Sequence, residues 1–203
     1  MHFDRYARCD AALCRQFRAH AEARRRVTAG FQLWCLTPDR AEEWRAIRLE
    51  ALRTAPDAFG SAFDDWADRP LKDFAARLDG CEMWAAGPGP GHPRAVASWE
   101  ADISPAEPDL GWVMSVFVAP DARGQGLGDA IFTRLIKRAE AAGMTRMGLH
   151  VGQNNLPAQA LYERAGFVAT GAPPMLNGRG SWEIEMRRMI RPALRHRLRS
   201  LCA

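Results

Sequence analysis

The chain has 203 residues, 47% of them hydrophobic, and a formal net charge of +4, which suits one globular domain with a sizeable core and some extra length. Residues 1–30 carry seven Arg against three acids and residues 187–203 six Arg against none, while residues 31–186 carry 15 basic and 21 acidic side chains. A basic nucleic-acid-binding core is therefore excluded, as is a membrane-spanning helix, because no run of about eighteen apolar residues exists.

Residues 10–26 are rich in helix formers with a thin apolar stripe, Leu13 and Phe17, and predict a marginal surface helix. Phe31 to Leu36 reads as a short strand. Thr37-Pro38-Asp39 is a helix start, and Trp44, Ile47, Leu49 and Leu52 mark an amphipathic helix to about Thr54. A loop from Ala55 to Ser61 leads to a second helical stretch, about 70–79. Met83 to Ala86 and Arg94 to Asp102 predict strands split by a Gly/Pro-rich turn. Gly111 to Ala119 is apolar on both alternating faces, which marks a central buried strand. A helix follows from about Gly128 to Ala142, with Ile131, Leu135 and Ala139 as its core stripe. Met147 to Val151 is a strand, Asn155 to Ala165 a helix closed by Gly166, and Phe167 to Thr170 and Ser181 to Met189 are the last strands. The order is mixed α/β without internal repeats.

The Arg-rich ends lack interleaved aromatics and read as solvated extensions, although phosphate contacts are open to them. The start also lacks the apolar stretch of a secretory signal. The cysteines Cys9, Cys14, Cys35, Cys81 and Cys202 are scattered with no C-x-x-C pair. That pattern points to unpaired thiols in a reducing, cytoplasmic setting and to no metal site.

Between the central strand and its helix lies Arg123-Gly124-Gln125-Gly126-Leu127-Gly128. Glycines let several backbone N–H groups converge there, and the helix dipole adds partial positive charge, so the turn suits a pyrophosphate. It is neither a P-loop, which needs Gly-Lys-Ser/Thr, nor a dinucleotide fingerprint, because Asp129 stands where the third glycine belongs. Further on comes Asn155-x-x-Ala158-x-x-Leu161-Tyr162-x-x-x-Gly166-Phe167. Asn155 is placed to cap its helix and still face a ligand, and Ala158 beside Tyr162 forms a narrow slot ending in a hydroxyl.

Together the two motifs resemble the GNAT superfamily of acyl-CoA N-acetyltransferases over roughly residues 31–190, most sharply from Gly111 to Phe167. Ala55 to Ser61 (A-P-D-A-F-G-S) is also similar to a pattern in bacterial members. The resemblance implies an α/β fold with a mixed, mostly antiparallel central sheet of about seven strands and helices on both faces. It further implies that the strand ending at Val118 splays from a parallel neighbour ending near Val151. The chain would then divide into an N-terminal extension (1–30), an N-acetyltransferase domain (31–190) and a basic tail (191–203).

By the same resemblance the co-substrate is acetyl-CoA. Phe117 and Val118 would hold its pantetheine amides, Arg123, Gly124, Gln125, Gly126, Leu127 and Gly128 its pyrophosphate, and Asn155 and Tyr162 would complete the site. The acetyl group would pass directly to the primary amine of a small molecule or peptide. Tyr162 would protonate the leaving thiolate, its ordinary pKa near 10 keeping the proton on at pH 7. The rival reading is a non-catalytic acyl-CoA-binding regulatory module, and a homodimer is compatible with either.

The general base stays open at the level of sequence. Met114, Ser115 and Val116 offer no carboxylate. Glu100, with Asp102 on the same face, is the first candidate through a water; Glu185 is a weaker one. His150 is a further candidate by residue type but is expected to pack against the helix layer. Trp99 and Trp112, on adjacent strands, are expected to line an acceptor pocket. The cluster Asp64, Asp65, Asp68 and Asp73 suggests a cationic acceptor.

Overall fold

The computed structural model describes residues 30–102 and 104–190. The expected helix over 10–26 and the two Arg-rich ends lie outside that range, apart from residues 187–190. In chain order the elements are β1 (Gln32–Leu36), α1 (Ala41–Thr54), α2 (Asp64–Ala67), α3 (Leu71–Asp79), β2 (Glu82–Gly87), β3 (Ala95–Ala101), β4 (Leu110–Val118), α4 (Leu127–Ala141), β5 (Arg146–Gly152), α5 (Leu156–Arg164), β6 (Val168–Ala169), β7 (Met175–Leu176) and β8 (Trp182–Met189).

The strands form one sheet of eight in the order β1-β2-β3-β4-β5-β8-β6, with β7 also on β8. All pairings are antiparallel except β4 with β5. The sequence implies seven strands; the eighth, β7, is two residues in the Gly/Pro-rich stretch, too short to show a period. The four-residue helix α2 escapes sequence reading for the same reason.

Strand register assigns the two faces. Glu82, Trp84, Ala97 and Trp99 share one face by pairing Glu82 with Trp99 and Trp84 with Ala97. The helix α4 covers it: Arg138 pairs with Glu82 at 2.7 Å, and the Arg134 guanidinium lies 4.5 Å from the Trp84 ring centroid. Small buried residues, Ala95 and Ala97, sit beneath α4, where a larger side chain would hold the helix off.

The opposite face carries Trp34, Leu36, Met83 and Ala85, all buried. It is covered by α1 through Trp44, Ile47 and Leu52 and by α3 through Phe74 and Leu78. The expected stripe of α1 is corrected at one place: Leu49 is only half-buried, while Arg48 faces inward. Positions 44, 48 and 51 follow the helical i, i+4, i+7 spacing, so geometry turns the arginine inward whatever its polarity.

The central strand is interrupted. Val96 pairs with Phe117 but Ser98 pairs with Met114, so an extra residue of β4 bulges at Ser115–Val116. Ser115 has φ of 55°, the one positive value at a non-glycine among the described residues. Buried Ser98 donates its hydroxyl to the Met114 carbonyl at 3.2 Å, which satisfies a ladder group that the bulge frees.

Candidate active site

The parallel strands β4 and β5 pair at only three positions: Leu110 with Arg146, Gly111 with Met147, and Trp112 with Gly148. Beyond them β4 runs on through Val118 and β5 through Gly152 without contact in register. The bulge bends β4 at this point, and the result is the V-shaped cleft that the resemblance implies.

Charged groups pin the closed end of the V. The Asp109 carbonyl accepts from the N–H groups of Thr145 (3.0 Å) and Arg146 (3.2 Å), and its carboxylate is held by the Arg146 guanidinium and the Thr145 hydroxyl. Those contacts pull the Asp109 carboxyl down to about 2. Glu107 bridges Arg146 at 3.0 Å and Arg187 at 3.0 Å, tying β5 to β8.

At the open end the glycine turn lies between Val118 and α4. Gly124 and Gly126 have φ of 75° and 81°, a conformation that a side chain makes costly. Gly126 precedes α4 as its N-cap with no side-chain cap, so the first N–H groups of the helix point outward without a protein acceptor among the described residues. A Cβ at Gly124 would meet nothing within 4 Å, so the turn borders open space. At Gly128 a Cβ would stand 3.2 Å from Leu161, and glycine there lets α5 seat against α4. Arg123 is exposed at the rim, its Nε donating to the Val118 carbonyl at 3.2 Å. Converging free N–H groups, a helix dipole and one guanidinium fit a pyrophosphate.

Phe117 is buried and Val118 half-buried on the splayed arm of β4. The Asn155 carboxamide accepts from the Ala158 N–H at 3.3 Å and caps α5. Tyr162, on α5, is 6% exposed, with its ring 5.4 Å from Phe132 and 6.5 Å from Phe167. Burial first, then the Glu183 charge, pushes its phenol well above the ordinary value. No partner for its hydroxyl occurs among the described residues, and it is absent from the sealed unpaired polar atoms there, which are Trp44 Nε1, Arg48 Nε, Trp99 Nε1 and Arg188 Nε.

Two expectations are corrected. Trp99 pairs with Val113 while Trp112 pairs with Glu100, so the two indoles lie on opposite faces and cannot line one pocket. His150 is not packed against a helix: it is exposed, on the face away from α4, stacked on Trp112 at 4.9 Å and 12°. Of the aspartate cluster, Asp64, Asp65 and Asp68 are exposed, and Asp65 accepts from the Ala62 N–H at 2.6 Å. Asp73 is half-buried.

Glu100 and Trp112 do share a face, as Glu100 with Asp102 should. Glu100 is engaged by Arg77 at 3.1 Å, and Arg77 also reaches Met114 Sδ at 3.7 Å. Asp102 accepts from the Ser104 N–H at 2.7 Å and from Trp112 Nε1 at 2.8 Å, which in that order hold its carboxyl below the usual range. Glu185 is taken up by Arg187. That leaves His150, opposite Glu185 in register and just past the last β4–β5 pair, without a hydrogen bond among the described residues. Strand parity in a seven-residue strand was the signal available for it: His150 alternates with buried Leu149 and Val151.

A cavity of about 560 Å³ is lined by Cys35, Cys81, Glu82, Trp84 and Arg138 and extends to Trp99 and Glu100 of β3. Cys35 and Cys81 are both free thiols. Among the described residues no cluster of His, Cys, Asp or Glu is arranged to hold a metal, and no helix is long and apolar enough to cross a membrane.

A bulged central strand, a splayed parallel neighbour and a free helix N-terminus at the open end define an acyl-CoA transferase scaffold. The profile of the Acetyltransferase (GNAT) family matches residues 39–167, and the chain belongs to that family. It is 30% identical over 152 residues to a mycothiol acetyltransferase of Clavibacter sepedonicus, covering 72% of this chain and 47% of that protein. It is 33% identical over 139 residues to an L-methionine sulfoximine/L-methionine sulfone acetyltransferase of Pseudomonas paraeruginosa, covering 62% of this chain and 78% of that protein. The chain thus spans about half the length of the mycothiol acetyltransferase it matches. In fold it is similar to a GNAT superfamily phosphinothricin acetyltransferase of Sinorhizobium meliloti solved with acetyl-CoA, with a TM-score of 0.62 and 20% identity over 81% of this chain and 94% of that one.

Proposed function

We propose that residues 31–190 form an N-acetyltransferase that passes an acetyl group from acetyl-CoA to the primary amine of a small molecule or peptide by direct attack. The observation that carries this is the separation of β4 from β5 beyond the Trp112–Gly148 pair, which leads to the uncapped N-terminus of α4. The two relatives described above, both named as acetyltransferases of small molecules, support the same class.

In this reading acetyl-CoA supplies the activated thioester, and the chain supplies position and proton control. The splayed arm at Phe117 and Val118 offers backbone groups that no strand pairs on the β5 side, so pantetheine amides complete the ladder. The N–H groups from Arg123 to Gly128 bind the phosphates, with Asn155 shaping the start of α5. Fixing both reactants in the V removes most of the entropic barrier to their meeting.

Tyr162 holds its proton until a thiolate leaves beside it. Burial makes the phenol a weaker acid, but the same desolvation raises the thiolate's demand for a proton. On the acceptor side the incoming ammonium must lose a proton. His150 is better placed than Glu100 to take it, because Glu100 is engaged by Arg77 whereas the imidazole is exposed on the same face beside the V. The assignments of residues 1–30 and 191–203 as extensions, of a cytoplasmic location and of a homodimer belong to the same proposal.

The test is calorimetry of acetyl-CoA with the full chain and with Gly126→Glu, which places a carboxylate at a position with φ of 81° beside the phosphates. Affinity should fall at least 100-fold, the helix still forming by circular dichroism. Equal affinity in both would remove the phosphate site. Binding without release of free thiol from any amine would favour the regulatory-module reading instead.

A further inference from the structure

The inner face of α1 is formed by Ala41, Trp44, Ile47, Ala51 and Leu52, and by one charged residue, Arg48, only 7% exposed. Its guanidinium carbon lies 5.1 Å from the Phe59 ring centroid, 5.2 Å from Trp66 and 5.7 Å from Trp44. No carboxylate among the described residues pairs with it. Its Nε is sealed from solvent with no hydrogen-bond partner. Its two terminal nitrogens are not sealed, and neither makes a hydrogen bond among the described residues.

Elsewhere in the fold Arg77, Arg94, Arg138, Arg146 and Arg187 each hold a carboxylate, and the other two arginines of α1, Arg45 and Arg53, which hold none among the described residues, are exposed to water. A buried cation without one is costly, and ring faces offset only part of that cost. Burial and the nearby Arg77 charge pull the Arg48 guanidinium down to about 10, which still leaves it charged at pH 7. None of the aspartates Asp64, Asp65, Asp68 and Asp73 forms an ion pair or hydrogen bond with it.

Its position links it to the reaction. Arg77 spans from the Arg48 neighbourhood to Met114 Sδ at 3.7 Å, one residue before the bulge that opens the V. Arg48, with Phe59 and Trp66 around it, thus lies on the side of the sheet away from α4, the side that also carries Trp112 and His150.

We infer that Arg48 is the anchor for an anionic group on the acceptor, so that the substrate class is a small primary amine bearing a carboxylate, such as an amino acid. This rests on the acetyl-transfer reading above and replaces the cationic acceptor that the aspartate cluster suggests. The carboxylate completes the terminal nitrogens of Arg48 in a bidentate pair, and the aromatic walls exclude water from it.

The experiment measures thiol release from acetyl-CoA by the full chain with L-amino acids, their carboxamides and their decarboxylated amines in matched sets. The acids should exceed their amides and amines at least tenfold in kcat/KM. Arg48→Met should raise KM for the acids at least tenfold, with kcat changed less and acetyl-CoA affinity kept, and should match or exceed the wild type in thermal midpoint because it removes an unpaired buried charge. Arg48→Lys keeps the charge without the fork and should fall between the two. Amides turned over as well as acids would overturn the inference while leaving the transferase reading intact. So would a fall in the thermal midpoint of Arg48→Met with KM unmoved, which would make Arg48 a purely structural cation–π centre. No thiol release with any amine would overturn both.

Discussion

Gly148 lies directly beneath the indole of Trp112: a Cβ at position 148 would stand 2.7 Å from Cζ3 of that ring. The two residues are the last in-register pair between β4 and β5, so their contact sits at the point where the strands part. Trp112 is held there from three sides, by the Asp102 carboxylate on Nε1, by His150 stacked on its ring, and by the Arg187 guanidinium 5.8 Å from it.

Gly148→Ala should therefore displace the indole rather than merely fill space. Overpacking of this kind costs about 1–3 kcal/mol, and the loss should appear as a lower thermal midpoint with a change in tryptophan emission. Turnover should fall further than the stability loss explains, because the mouth of the V shifts with the ring. An alanine variant with unchanged emission and rate would separate Trp112 from the site.

Tyr162→Phe should lower kcat by about 100-fold or more, the range for a lost general acid, with acetyl-CoA affinity largely kept. Because burial raises the phenol above its ordinary value, the proton stays on as pH rises through 9. The ratio of wild-type to variant rate should then be flat from pH 7 to 9. A ratio that collapses across that window, or equal rates, would return Tyr162 to a packing role with Phe132 and Phe167.

Stability at low pH should report on the clamp at the closed end. The Asp109 carboxyl sits at about 2 in the folded chain against an ordinary 3.8. A folded value below the unfolded one means that the contribution is present above pH 4 and is lost as pH falls toward 2. The urea midpoint of the wild type should drop over that window more steeply than that of Asp109→Asn. Parallel curves would show that the Arg146 pairing contributes nothing measurable, as holds for many exposed ion pairs.

How much of this was legible beforehand follows the range of the interactions. The glycine turn and the Asn155-to-Phe167 run are local: a left-handed glycine, a helix N-terminus and an N-cap are specified within a few residues. Helices α1, α3, α4 and α5 appear within a few residues of their expected limits for the same reason, as do the longer strands. The strand β7 and the helix α2 do not, since two to four residues carry too little pattern to stand out from a loop.

The acceptor side is not legible in the sequence, for a specific reason. Counting alternation along β3 and β4 puts Trp99 and Trp112 together only if the register is assumed; the observed pairing of Trp99 with Val113 separates them. Past Ser115 the bulge adds a residue, so parity counted from the start of β4 is inverted at its end. The exposure of His150 depends on which face the helices cover.

By itself, then, the sequence determined the order of the longer elements and the glycine turn before α4, both encoded by neighbours in the chain, while the splay of the central strand followed only from the family resemblance. Only the tertiary structure decided the acceptor half. It buried Arg48 among Trp44, Phe59 and Trp66, tied Glu100 to Arg77, and left His150 open on the face away from α4. Those outcomes depend on register and on packing between segments far apart in sequence, which no local period records.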